Sequence, residues 1–314
     1  MPVTTAALTV GAGDVVLADA AATSYFADLA DRPGVVASQY PPRREAAEAL
    51  AALVGRRRPE RVVAVGDGAT LDVAKHAHAG GAELVLVPVG AEPWRAFAPF
   101  TSLYEPSGQR ISRPAPAVAA ARVVIDPAAL SARAAPVRAL QRADTAVHAV
   151  EVLLSRRAQE WDRAHAGAAL AALRRDRPAD DVVAAGLAAT AFAATGLGLA
   201  HAAASPLGAA ALRTHDTVNV LLAPYVAEFW GDRADWTAVA EGLGAAPAAA
   251  AVAERLRGLA AAARVPATLG AAGFGWDSVT AAIPAALRSS GMPWLPEPVD
   301  AAGLHALLRR AWAG

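Results

Sequence analysis

The sequence predicts an α/β domain with a parallel sheet over residues 1–130, followed by an all-α domain over residues 131–314. Three observations support this prediction. The chain has 314 residues, which is long for a single hydrophobic core. Short apolar, β-branched runs alternate with helical stretches up to about residue 130. Beyond that point, apolar residues recur at helical spacing and strand signals almost vanish.

Five apolar runs between turn signals predict the strands of the first domain. They are residues 14–17, 34–36, 61–65, 84–87 and 122–125. Helical composition predicts helices over residues 45–54 and 69–79. Continuous apolar strands that alternate with helices indicate a parallel sheet covered on both faces.

The second domain is rich in Ala, Leu and Arg, which all have high helix propensity. Breakers at Pro247, residues 266–270 and residues 292–298 divide it into separate helices, and residues 304–313 form the last one. We therefore predict packed helices rather than disorder.

The composition excludes several classes of protein. Apolar residues make up 55% of the chain and charged residues 18%, which favours a buried core. The 29 basic residues equal the 29 acidic ones, so we expect neither a nucleic acid nor a membrane surface as partner. Without cysteine there is no disulfide and no thiolate ligand. No secretory signal or membrane span stands out, and we expect a cytoplasmic protein.

Three histidines and one aspartate form the candidate metal site. Asp144 and His148 are four residues apart in a helical run, so their side chains share one helix face. His201 and His215 follow on two neighbouring helices, which we expect a turn at residues 206–208 to separate. Taken singly, each pattern is more often an ordinary core or surface pair than a set of ligands.

The combined pattern resembles the helical domain of the iron-containing alcohol dehydrogenases. The shared pieces are Gly196-Leu-Gly-Leu-Ala-His201, Pro206-Leu-Gly208, His215, Asn219 and Pro224. Similar pieces of the first domain, among them Val65–Ala69 and Val124–Pro127, lie in the same order, so the resemblance covers nearly the whole chain. It implies a Rossmann-like first domain, here trimmed by one helix and one strand.

The resemblance also implies that Asp144, His148, His201 and His215 bind a divalent ion in the cleft between the domains. The expected ion is Fe2+, although Zn2+, Ni2+ and Mn2+ suit the same ligands. Ser205 stands where the family often has a histidine associated with catalysis. We assign no catalytic acid or base.

The nucleotide site implied by the family departs from the family pattern. The glycine turn reads Gly66-Asp67-Gly68-Ala69, so a carboxylate stands where a diphosphate would lie. Trp94 occupies a family glycine position, and Glu92 adds a second negative charge. We therefore expect no NAD(P) and assign no cofactor-binding residue, although Asp19 could mimic a ribose-binding carboxylate. The alternative is a working dehydrogenase with altered contacts.

Four residues of this region are candidates for binding substrate. Lys75 is the only lysine of the chain, and with Asp72 it follows the glycine turn. It could anchor an anionic group, hold the Asp72 region in place, or be a chance survivor of a coding bias. Trp94 could stack on a heteroaromatic ring and Arg95 could hold an anion, whereas packing at the surface or at an interface is the alternative for both.

These observations lead to a functional hypothesis. We expect a non-haem Fe(II) enzyme that uses O2 to oxidise or rearrange a small nucleoside-like or heteroaromatic molecule in natural-product biosynthesis, similar to the iron enzyme of oxazinomycin biosynthesis on this scaffold. The alternative is an NAD(P)-dependent alcohol dehydrogenase or a reductase similar to maleylacetate reductase. A third alternative is a catalytically inactive homologue. A homodimer is expected from the scaffold.

Overall fold

In the computed structural model, the chain divides into two compact units, Met1–Ala134 and Ala135–Gly314. The structure describes all residues except 21, 23–25, 27–28, 30–34, 79, 108–109, 197 and 212–214, and it describes no side chain at 110 or 209–211. The sequence predicted a boundary after residue 130. The observed one comes later because the short helix Pro127–Ala132 belongs to the first unit.

Parallel strands form the centre of the first unit. The strands are β1 (Val3–Thr5), β2 (Val15–Ala18), β3 (Val35–Ala37), β4 (Arg61–Gly66), β5 (Glu83–Pro88), β6 (Phe100–Tyr104), β7 (Arg110–Pro114) and β8 (Arg122–Ile125). Six of them make one sheet in the order β1-β8-β5-β4-β2-β3, and every neighbouring pair is parallel. Strands β6 and β7 form a separate antiparallel pair.

The central strands are buried on both faces. Val62, Val63, Ala64 and Val65 of β4 are at most 1% exposed, so side chains of both alternating sets are covered. The described helices of this unit are α1 (Arg44–Arg57), α2 (Gly68–Ala77) and α3 (Pro127–Ala132). This burial is typical of a parallel sheet between helical layers, and the predicted fold class is confirmed.

The first unit also contains strands that were not predicted. The three residues of β1 are exposed, and two of them are threonines, so no apolar run marks this edge strand. The β6–β7 pair carries polar and charged side chains such as Ser102 and Arg113. The predicted start at Gly34 and the predicted helix end at residue 79 lie outside the described residues.

The second unit is helical throughout its described part. Its helices are α4 (Ala135–Leu154), α5 (Glu160–Leu173), α6 (Pro178–Thr195), α7 (Leu199–Ala211), α8 (His215–Trp230), α9 (Thr237–Leu243), α10 (Ala249–Ala262), α11 (Trp276–Ala281), α12 (Ile283–Leu287) and α13 (Ala301–Ala313). Small side chains fill many helix contacts; Ala184, Ala185 and Ala188 of α6 are at most 1% exposed. The helical second domain was predicted correctly.

The turn predicted at residues 206–208 is wrong. Pro206 lies inside α7, which continues to Ala211. Proline removes one backbone donor and usually kinks a helix, but tertiary packing can outweigh that cost. Ala203, Ala204 and Leu207 beside it are at most 1% exposed. The helix therefore passes through the proline.

In the part of the chain that the structure describes, no single helix is long and apolar enough to cross a membrane. The helices over residues 178–195 and 199–208 reach the length and hydropathy of a membrane span only when they are counted together. They are bent by 97° relative to each other.

Candidate functional site

Helix α4 presents three polar side chains on one buried stripe. Asp144, His148 and Glu151 follow one another at spacings of four and three residues, which places them on the same helix face. They are 0%, 1% and 8% exposed. Buried groups of this kind require partners, and these come from α7, from α8 and from the backbone of α4 itself.

The contacts of the two imidazoles determine which ring nitrogen carries the proton. His148 Nδ1 lies 2.8 Å from the Asp144 carbonyl oxygen, which can only accept a hydrogen bond. His201 Nδ1 lies 2.5 Å from Glu151 Oε2. In both neutral rings Nδ1 is therefore the donor and Nε2 is the basic nitrogen.

The two basic nitrogens point at each other. His148 Nε2 and His201 Nε2 are 3.0 Å apart, so in these neutral tautomers their lone pairs converge, which a cation between them would stabilise. Asn219 Nδ2 donates to Asp144 Oδ1 at 3.0 Å and to His201 Nε2 at 2.8 Å, consistent with a basic Nε2. Ligand atoms of Asp144, His148 and His201 all lie within 4.8 Å of one another. This carboxylate and imidazole set fits a divalent ion.

His215 lies next to this cluster at the start of α8. Its ring centroid is 5.0 Å from that of His201, and its side chain is partly exposed. The set of ligand atoms within 4.8 Å does not include it. The structure thus brings three of the four predicted ligands together, and ligation by His215 stays a prediction. Ser205 is half-buried on α7.

Glu151 is a functional residue that the sequence analysis missed. Its Oε2 accepts from Gly198 N–H at 2.8 Å, and its Oε1 accepts from Ala200 N–H at 2.7 Å, besides the contact with His201. Burial alone would raise the pKa of Glu151, but His201 and the backbone N–H groups together lower it. The spacing D-x-x-x-H-x-x-E was the available signal, because it extends the helix face by one turn.

The comparison with known protein families agrees with this cluster. The C-terminal model of the Fe-containing alcohol dehydrogenase family matches residues 141–312, which is more than half of the chain and includes all four predicted ligands. The chain belongs to this family. No curated protein sequence matches it.

Several solved structures share the fold of this chain along nearly its whole length. Maleylacetate reductase from Agrobacterium tumefaciens is 19% identical, with a TM-score of 0.81 over 99% of this chain and 95% of that one. Sulfoacetaldehyde reductase from Bifidobacterium kashiwanohense in complex with NAD+ is 16% identical, with a TM-score of 0.80 over 96% and 91%.

An iron-containing alcohol dehydrogenase from Thermococcus thioreducens is 20% identical, with a TM-score of 0.81 over 96% of this chain and 93% of that one. Identities this low establish the fold alone. None of these matches refers specifically to oxazinomycin biosynthesis.

The glycine turn of the first unit, where the family resemblance implies a diphosphate, is bonded to carboxylates of this chain. Asp19 Oδ2 accepts from Asp67 N–H at 2.7 Å, and Asp67 Oδ1 accepts from Gly68 N–H at 2.7 Å. At Gly66, with φ +157°, a Cβ would lie 2.1 Å from Asp19 Oδ2. From its place in the sequence Asp19 could mimic a ribose-binding carboxylate, and in the structure its carboxylate is bonded to the glycine turn itself. Backbone donors that could hold an anion already have partners.

A chain of ion pairs continues from this turn. Glu92 N–H donates to Asp67 Oδ1 at 2.9 Å, and Arg95 binds Glu92 through Nε at 2.9 Å and Nη2 at 3.0 Å. Arg95 Nη1 also donates to Asp72 Oδ2 at 2.7 Å. We call Asp19, Asp67, Asp72, Lys75, Glu92 and Arg95 the turn network. With four carboxylates and two cations, it does not fit a diphosphate.

The charges of the turn network shift the pKa values of its members. Burial, together with the nearby Glu92 carboxylate, raises the pKa of Asp67 to about 6. Burial also lowers the pKa of Lys75, although Asp72 opposes this shift. Asp67 thus loses its proton close to neutral pH, in contrast to an ordinary aspartate.

The candidate substrate-binding residues have contacts within the protein. Lys75 Nζ forms an ion pair with Asp72 at 2.8 Å, and it donates to the carbonyl oxygens of Arg95 and Phe100, both at 2.7 Å. Trp94 is 3% exposed, and the Arg95 guanidinium carbon lies 4.5 Å from its ring centroid. The contact with Asp72 agrees with the alternative that Lys75 holds the Asp72 region in place, whereas Trp94 and Arg95 are buried within the first unit. The substrate-binding role stays a prediction.

Proposed function

We propose that this protein is a metal-dependent oxidoreductase that acts on an alcohol or carbonyl group of a small molecule. The observation that carries this proposal is the 3.0 Å approach of His148 Nε2 and His201 Nε2, beside the Asp144 carboxylate. In our proposal Asp144, His148 and His201 hold the ion, and His215 is a fourth ligand. Fe2+ is the expected ion, because it is the metal of the family name.

Within this site, the residues of the chain position the ligands and exclude water. Asn219 holds the Asp144 carboxylate, Glu151 holds His201, and the carbonyl of Asp144 holds His148. Burial of all three ligands restricts bulk water, which strengthens electrostatic interactions with a polar substrate atom. A bound divalent ion supplies a Lewis acid that polarises an alcohol or carbonyl oxygen.

Two electron acceptors are candidates for this reaction, and a different observation favours each. The family relatives favour a nicotinamide-dependent dehydrogenase or reductase, since one of the similar structures is a reductase in complex with NAD+. The turn network favours an enzyme without a dinucleotide, because carboxylates of this chain bond the amides where a diphosphate would bind. For the second candidate we propose O2 as the acceptor and a nucleoside-like or heteroaromatic substrate.

The test begins with metal analysis of anaerobically purified protein after reconstitution with Fe2+. We expect about one ion per chain with the three-residue cluster intact. Protein that retains no metal would overturn the proposal in both forms.

A homodimer and a cytoplasmic location are further proposals, and size-exclusion chromatography with light scattering tests the first.

Calorimetric titration of the loaded protein with NADH and NADPH then separates the two acceptors. Saturable heat, accompanied by quenched tryptophan fluorescence, assigns the nicotinamide-dependent reaction. No heat with either nucleotide, together with O2 uptake that depends on a heteroaromatic substrate, assigns the oxygen-dependent one. Turnover with Zn2+ under nitrogen and without nucleotide would exclude both acceptors.

A further inference from the structure

We propose that Glu151 is a positioning residue that holds His201 in its metal-binding tautomer and joins it to the start of α7. The inference rests on the proposed metal site. Glu151 does not reach the ion cluster itself, because its carboxylate lies on the Nδ1 side of the imidazole. It acts on the ion only through His201.

The carboxylate of Glu151 is fully engaged by one short stretch of chain. Oε2 accepts from Gly198 N–H at 2.8 Å and from His201 Nδ1 at 2.5 Å. Oε1 accepts from Ala200 N–H at 2.7 Å and from His201 N–H at 3.2 Å. These N–H groups belong to the beginning of α7, where a helix has amides without intrahelical acceptors. One side chain therefore caps the helix and binds the imidazole that the helix carries.

The two imidazoles of the cluster are held by different acceptors. Nδ1 of His148 is bonded to a neutral backbone carbonyl at 2.8 Å, with the Asp144 carboxylate farther away at 3.4 Å, whereas Nδ1 of His201 is bonded directly to a carboxylate at 2.5 Å. A hydrogen bond to an ionised acceptor is stronger, and it makes the opposite nitrogen a better electron donor. The affinity of His201 for the ion should therefore depend on the Glu151 side chain, which mutation can change, whereas the backbone carbonyl that binds His148 cannot be removed by mutation.

Gly198 provides the space for this arrangement. A Cβ at position 198 would lie 2.4 Å from Cδ of Glu151 and 2.7 Å from its Oε1. Any larger residue would displace the carboxylate from the imidazole. Substitution at Gly198 therefore tests the placement of the carboxylate, while substitution at Glu151 tests its charge.

The experiment measures Co2+ affinity of the full chain by chelator competition, together with the visible absorption of bound Co2+. In Glu151→Gln we expect affinity to fall about 10- to 100-fold, as for other residues that orient a metal-bound histidine. The Co2+ absorption bands should also shift, because the ring bound to the ion has lost its charged partner. In Gly198→Ala we expect a loss in the same direction and smaller in size.

Asp162→Asn is the matched control. Asp162 Oδ2 accepts from Gln159 N–H at 2.9 Å at the start of α5, so it caps a helix without touching a histidine. We expect this variant to lower the melting temperature and to leave Co2+ affinity and absorption unchanged. A purely structural role for Glu151 would make both variants behave alike.

The outcomes separate this inference from the proposed function. Wild-type protein that does not bind Co2+ refutes the metal site itself. Wild-type binding combined with unchanged Co2+ affinity in Glu151→Gln overturns only the inference. If Glu151→Gln does not fold, Gly198→Ala decides alone, since unchanged affinity and an unchanged Co2+ spectrum in that variant also overturn it.

Discussion

The metal cluster of the second unit and the turn network of the first unit both bury several charged groups, but they satisfy them differently. In the cluster, basic nitrogens of His148 and His201 point at each other, and a carboxylate lies beside them. In the turn network, carboxylates such as Asp67 and Asp72 meet backbone donors or cations of the same chain. Basic nitrogens that converge beside a carboxylate indicate a site for a cation, whereas carboxylates matched to donors and cations of the same chain indicate a structural role.

The largest effect that we expect from the turn network is a loss of stability on removing Lys75. Lys75→Met deletes the ammonium that binds Asp72 and the carbonyls of Arg95 and Phe100. The partners stay buried, so we expect a cost of about 3–5 kcal/mol in the free energy of unfolding. Urea denaturation followed by circular dichroism measures it.

The control for this variant is Arg122→Met. Arg122 forms an ion pair with Glu83 at 2.9 Å, but this pair is substantially exposed. We expect a change of less than about 1 kcal/mol. If both variants lose the same free energy of unfolding, Lys75 contributes no more to stability than an exposed charge does. The turn network would then not be a source of stability.

The second prediction tests the metal cluster. Structural zinc sites bind with about 10–16 kcal/mol, so deleting one of three or four ligands should weaken binding at least about 100-fold. His201→Ala should therefore lose stoichiometric metal after dialysis, as measured by elemental analysis. His165→Ala is the control, because His165 lies on α5 beside Trp161 and outside the cluster. Full metal content in His201→Ala would refute the cluster.

The third prediction concerns the dependence of stability on pH. The pKa of Asp67 is about 6 in the folded protein, above the ordinary value of 3.8. The folded state therefore binds the proton of Asp67 more tightly than the unfolded state does. The contribution of this protonation to the free energy of unfolding is greatest below about pH 4. That contribution is lost as pH rises to about 6, and the difference between the two pKa values corresponds to about 3 kcal/mol.

Asp67→Asn removes this charge and keeps the Oδ1 acceptor for Gly68 and Glu92. Asparagine is also a good residue at the start of a helix. We expect the variant to be more stable than wild type by about 3 kcal/mol at pH 7.5 and equally stable near pH 4. Urea midpoints at both pH values test this, and a gain that persists at pH 4 would exclude the charge as its cause.

Much of the fold followed from local sequence patterns. Strands β4 and β5 are continuous apolar, β-branched runs between turn signals, and their alternation with helices predicts a buried parallel sheet. The β6–β7 pair did not follow, because its polar residues carry no alternation that distinguishes a strand from a loop. At Pro206 the sequence predicted a turn that does not exist, because the packing of α7 outweighs the local tendency of proline to end a helix.

The two sites also differ in how far sequence could predict them. The common face of Asp144 and His148 follows from their spacing, and the same rule would have identified Glu151. The approach of His201 followed only from the family resemblance, since nothing local relates α7 to α4. The pair of Lys75 with Asp72 was one alternative given by the sequence, but the other partners of Lys75 could not be predicted, because they include backbone carbonyls 20 and 25 residues away.

The smallest effect that we expect is a change in the titration of Asp67 when Glu92 loses its charge. The Glu92 carboxylate is one of the causes that raise the pKa of Asp67, after burial. Glu92→Gln should therefore lower the pKa of Asp67 below about 6, and the pH at which stability declines should fall with it. Glu83→Gln, at the start of β5, is the control with an arginine partner outside the turn network. Urea midpoints between pH 4 and 8 provide the measurement. If stability still declines at about pH 6 in Glu92→Gln, the charge of Glu92 does not raise the pKa of Asp67, and burial is the main cause. The packing of the turn network would then matter more than the charges of its members.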